Sequence, residues 1–120
     1  MSGYQSKFDA AVSSYPFARW QQSGLEQYTP EACAAFAAVF NRLVGELVQA
    51  GESATEQSKL ELLRRAVEEL NALNEQDESL IETGEREDLC ALVNLVTAAC
   101  GLDPSKYGDG EGPASEWREW

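Results

Sequence analysis

Three stretches of this chain carry apolar residues at helical intervals, each bracketed by residues that start or stop a helix, a pattern that only packed helices satisfy throughout. The clearest is "YTPEACAAFAAVFNRLVGELVQAG". Thr29 stands where an N-cap belongs, Pro30 at the first helical position, Glu31 in the first turn, and Gly51 at the stop. Cys33, Phe36, Phe40, Leu43, Val44 and Leu47 then form one stripe to be buried. The second, "SATEQSKLELLRRAVEELNALNEQ", opens on a Ser53/Glu56 capping box and turns Leu60, Leu63, Val67 and Leu70 inward. The third contains Leu89, Leu92, Val93 and Val96 and stops near Ala99 or Cys100, ahead of "GLDP".

The flanks are less regular. "KFDAAVSSYPFARWQQSG" reads as one short helix broken before Pro16, and "YGDGEGPASEWREW" as a flexible Gly-rich linker until Pro113 starts a last turn. No segment alternates long enough for a strand, and no repeat is visible. The expected fold is all-α: one domain over residues 1–120, a small bundle of three main helices, with a short N-terminal helix and a C-terminal tail packed on it. Residues 1–28 form an aromatic-rich segment, 29–102 the core, and 103–120 the Gly-rich loop and Trp tail. Tyr4, Phe8, Tyr15, Phe17, Trp20 and Tyr28 form a satellite core, with a partner-binding patch as the alternative.

Charge restricts function more than fold. Nine basic against 21 acidic residues give a net charge of −12, which repels nucleic acid and anionic membranes. Residues 51–90 alone hold twelve acids and four bases. The apolar runs fall short of a membrane span and the N-terminus has no leader pattern, so the expected location is cytoplasmic. There is no histidine, which removes the usual general base, the Ser/His and Cys/His pairs and the commonest transition-metal ligand. Cys33, Cys90 and Cys100 are odd in number, lie in apolar helical patterns and form no CxxC pair, and so read as reduced, buried thiols. No cofactor is expected.

One stretch breaks the rule that inward faces are apolar. Extended backwards from Leu89, the third helix puts Glu82 and Glu85 of "SLIETGEREDL" near its apolar face. Asn74 projects into the sector of Leu63, Val67 and Leu70 on the second helix, with Asn71 at its edge. A short connection brings these four to one end of a helical hairpin. Two arrangements fit. If the helix begins at Thr83 or Gly84, Glu85, Glu87 and Asp88 are solvated N-terminal acids. If it begins at Ser79, with a Ser79/Glu82 capping box, Glu82 and Glu85 face a polar crevice with Asn71, Asn74 and Arg86, and Arg86 pairs with Glu82 four residues before it. The pattern favours the second.

"NALNEQDESLIETGEREDL" and the closing "REW" resemble a small bacterial family of unknown function in which an IETxxRE-like helix start and a terminal REW recur. The resemblance covers roughly residues 36–120 and rests on Ile81, Glu82, Thr83, Arg86, Glu87, Arg118, Glu119 and Trp120. The first 35 residues and "YGDGEG" lie outside it. It implies an all-helical fold and a bacterial source, and supplies no activity.

Three classes of function remain. The first is a protein-binding protein of the immunity or antitoxin type that covers a basic partner, since a field of this sign speeds encounter with such a partner. The second is a structural or subunit protein with no ligand. The third is a Mg²⁺-dependent nucleotide hydrolase using Glu82, Glu85 and Asp88, weakened because these carboxylates share one helix rather than facing each other from two. No catalytic residue stands out, and the balance points away from an enzyme. Trp117 and Trp120 share one side of a single helical turn, which either closes the core or anchors a partner. The oligomeric state is not written in the sequence.

Overall fold

In the computed structural model, residues 3–23, 26–76 and 81–120 are described. They form helices α1 (Gly3–Lys7), α2 (Asp9–Ser13), α3 (Phe17–Gln21), α4 (Pro30–Ala50), α5 (Glu56–Gln76), α6 (Thr83–Ala99) and α7 (Ala114–Trp117), with two 3₁₀ turns at Pro104–Lys106 and Gly108–Gly110. The fold is all-α, with no strand among the described residues. None of these helices is long and apolar enough to cross a membrane.

Local chemistry explains the long helices. Thr29 caps α4 through its Oγ1, which accepts the Ala32 N–H at 3.1 Å, and Gly51 ends the helix at φ 93°, where an L side chain would be strained. Helix α5 is capped by Thr55, not by the expected Ser53/Glu56 box. Thr55 Oγ1 accepts the Ser58 N–H at 3.1 Å, and Glu56 instead accepts the Tyr107 hydroxyl. Helix α6 ends in a Schellman arrangement, with Leu102 N–H bonding the Thr97 carbonyl and Gly101 N–H the Ala98 carbonyl.

The core runs without a break from the N-terminal segment into the long helices. Phe36, Phe40, Leu43, Leu47, Leu63, Val67, Leu70, Leu89, Val93 and Val96 are fully buried. Three short helices replace the single one expected before and after Pro16. Their aromatics are part of the main core rather than a satellite. Phe17 and Trp20 meet edge to face at 5.1 Å, and both pack on Phe36, at 6.1 and 5.4 Å.

One buried charge ties the connection before α5 to the end of α6. Lys59 is 6% exposed, and its ammonium donates to the Glu52 carbonyl at 2.8 Å and the Cys100 carbonyl at 2.7 Å. It also lies 5.7 Å from the Tyr4 ring centroid. A cation at the C-terminal end of α6 complements the helix dipole.

The Gly-rich segment is an ordered brace, not the linker expected. Asn94 Nδ2 donates to the Glu111 carbonyl at 3.1 Å, Gly108 N–H to Glu116 at 3.1 Å, and the Tyr107 hydroxyl to Glu56. Gly112, at φ 117°, leaves no room for a Cβ, which would fall 1.9 Å from Asn94 Oδ1.

Candidate functional site

The start of α4, the end of α5 and the start of α6 meet at one end of the molecule, because α4 and α5 run antiparallel and α6 follows after a short connection. The polar residues singled out in the sequence lie at or near this end, on separate duties. Glu82 is extended, at φ −93° and ψ −179°, so α6 begins after it. This corrects the continuous helix from Ser79. Glu82 offers its backbone carbonyl to Arg86 N–H at 2.8 Å, while its side chain makes no cap and accepts from Gln27 Nε2 at 3.3 Å. Ser79, the other half of the expected capping box, lies outside the described residues. The expected Glu82–Arg86 ion pair is absent among the described residues, since an extended Glu82 is not placed four residues back on a helical face.

Glu85 is half-buried beside Tyr28. Burial first, and then the Glu85 and Glu82 carboxylates, push the Tyr28 phenol well above its ordinary range. Asp88 accepts from Arg19 at 2.8 Å and from the Trp20 indole at 2.9 Å, tying α6 to α3. Glu82, Glu85 and Asp88 therefore turn to three different partners. Among the described residues no group of three or more Asp, Glu or Cys side chains is gathered closely enough to hold a metal ion.

Asn71 does not face the carboxylates. It is 7% exposed and grips the tail: its Nδ2 donates to the Trp117 carbonyl at 3.0 Å, and its Oδ1 accepts the Glu119 N–H at 2.9 Å. Asn74 is half-buried, its Oδ1 enclosed without a hydrogen bond, and the Nε of half-buried Arg86 is enclosed likewise. The Trp pair also departs from expectation. Helix α7 ends at Trp117, and Arg118 is extended at ψ 145°, so no helical turn aligns the two indoles. Both are half-buried against the core, with the Arg118 guanidinium 5.7 Å from the Trp120 ring.

The thiols are free, as expected, with Cys33 and Cys100 buried and Cys90 half-buried. Burial pushes the pKa of all three thiols up, disfavouring the thiolate. At Cys90, Arg118 and Arg86 pull the other way without reversing that direction.

Two features of this end were not read from the sequence. The first is a cleft of about 490 Å³ between the start of α4 and the end of α5. Ala32, Ala35, Phe36 and Leu73 give it an apolar floor, and Glu26, Glu31 and Gln76 stand among its walls. Its signal lay in Ala32 and Ala35, two small residues three apart beside the Phe36 stripe. The second is the distribution of ion pairs. Those among the described residues join Lys7–Glu52, Arg19–Asp88, Arg42–Glu69, Arg64–Glu68 and Arg65–Glu46. Glu26 and Glu31 on the cleft walls take no part in any of them, nor do Glu75, Glu82, Glu85 and Glu87 nearby in the chain or in the fold. Eight acids elsewhere among the described residues, from Asp9 to Glu119, are likewise outside them.

Compared with known protein-family models, curated proteins and solved structures, the chain matches none of them.

Proposed function

We propose that this chain is a small acidic protein-binding protein, of the immunity or antitoxin type, that recognises a basic partner in the cytoplasm. In this reading a bundle of the three long helices is the rigid platform, and the cleft end is the face presented. The observation that carries it is an apolar-floored cleft with Glu26 and Glu31 on its walls, both outside every ion pair of the described residues, and with Glu82 bonded to Gln27 of the same wall. Unneutralised charge of one sign at one end steers a partner of the opposite sign and disfavours others. Membership of the bacterial family with an IETxxRE-like start and a terminal REW belongs to the same proposal. The structure gives those residues supporting tasks: Glu82 precedes α6, and Arg118 stacks against Trp120.

The alternative of a structural protein with no ligand differs in what the cleft end does. The product of the neighbouring gene separates the two. A basic, toxic product that this chain binds and inhibits is the expected result. A neighbouring product that neither binds nor loses activity would overturn the immunity reading.

A further inference from the structure

We infer that the cleft between α4 and α5 seats one large apolar side chain of a basic partner segment; this rests on the reading above and names the chemistry it would recognise. The floor offers carbon and the surroundings offer charge. Ala32, Ala35 and Leu73 are only half-buried, and the space above them is kept open because α4 presents two methyl groups where larger side chains would fill it. At about 490 Å³ it lies within the range of cavities that hold ligands, roughly 300–1,000 Å³. A purely cationic side chain would gain little from such a floor. A purely apolar segment would gain nothing from Glu26 and Glu31, which are exposed beside it. A segment with an aromatic or long aliphatic residue between lysines or arginines satisfies both. The apolar residue drops into the cleft as an anchor and the cations meet the carboxylates around it.

The test uses the full chain and two short synthetic peptides. Each consists of lysines and arginines around one central position, occupied by phenylalanine in one and alanine in the other. Titration followed by methyl and amide NMR gives affinity and location together. The phenylalanine peptide is expected to bind at least about tenfold more tightly, as burial of an aromatic side chain implies, and to shift the methyl signals of Ala32, Ala35 and Leu73. Ala35→Trp, which fills the cleft, should erase the preference for phenylalanine. Ala98→Trp, exposed near the far end of α6, should keep it. If Ala35→Trp perturbs the fold, Gln76→Trp, at an exposed position of the cleft wall, serves the same purpose.

Equal affinity for both peptides, with no shift at the three methyl groups, would show attraction by charge alone and overturn the cleft inference while sparing the acidic-end reading. Binding of neither peptide at low salt would overturn both. Methyl shifts that follow protein concentration without peptide would assign the cleft to a second copy of the chain, and overturn the inference as well.

Discussion

Replacing Lys59 by methionine keeps the length and apolar stem of the side chain and removes only the ammonium. That group makes two hydrogen bonds to main-chain carbonyls, Glu52 at 2.8 Å and Cys100 at 2.7 Å. Hydrogen bonds to charged groups contribute about 1.5–3 kcal/mol each, and a cation at a partly buried helix C-terminus up to about 2 kcal/mol. Against this stands the cost of taking an ammonium out of water, several kcal/mol, which methionine does not incur. The balance leaves Lys59→Met less stable by about 2–4 kcal/mol, since the Glu52 and Cys100 carbonyls lose their donor. With a slope of roughly 1–2 kcal/mol per molar urea for a domain of this size, the unfolding midpoint should fall by roughly 1–4 M. Equilibrium urea unfolding followed by circular dichroism measures it. A loss under about 1 kcal/mol with an unchanged slope would refute the reasoning: the ammonium would then be no better off in the fold than in water.

Three further outcomes follow from the geometry. Asn71→Ala removes two bonds to the tail and should cost about 1–3 kcal/mol; tryptophan emission of the native protein should shift to the red as Trp117 and Trp120 loosen, and an unmoved spectrum would mean that the tail is held by other contacts. Gly112→Ala places a Cβ 1.9 Å from Asn94 Oδ1 at φ 117°, and thermal unfolding should report a loss of about 2–4 kcal/mol, of which Asn94→Ala restores the steric part. Stability should fall with rising pH above about 10, because Tyr4, by burial, and Tyr107, by its bond to Glu56, are pushed up to about 12 while the unfolded phenols ionise near 10.0. The native state then holds protons that the unfolded state has lost, and urea midpoints that stay flat from pH 9 to 12 would contradict the burial of Tyr4 and the Tyr107–Glu56 bond.

The long helices were legible because each carries its own instructions. Thr29, Pro30 and Gly51 mark α4 locally, and a stripe at helical spacing needs no knowledge of the partner it packs on. The start of α6 was not legible for the opposite reason. Ser79 and Glu82 compose a plausible capping box, but the extended backbone at Glu82 is set by tertiary surroundings, with Gln27 and Tyr28 among them. Lys59 escaped notice because a lysine beside a stripe reads as solvated, and only the return of Cys100 to its ammonium, 41 residues later, makes it a cap. Asn71 was recognised as an inward polar residue with the wrong partner. Its side chain matches two backbone groups of the tail, and main-chain groups leave no trace in a pattern of residue types. The glycines of "YGDGEG" suggested looseness, whereas the left-handed angles at Gly108, Gly110 and Gly112 shape a compact brace.

The central claim is that the cleft end, not net acidity alone, draws a basic partner, and the salt dependence of affinity for a peptide of lysine and arginine tests it most directly. One variant carries Glu26→Gln, Glu31→Gln, Glu75→Gln and Glu82→Gln; a second carries Asp9→Asn, Glu61→Gln, Asp109→Asn and Glu119→Gln, at exposed positions elsewhere. Both remove the same charge. Fluorescence anisotropy across a salt series should show the first variant weakened by about tenfold or more at low salt, with a shallower salt slope, and the second within about threefold of the natural chain. Equal losses in the two variants would contradict the claim, placing the attraction in the whole surface rather than at the end of α4, α5 and α6.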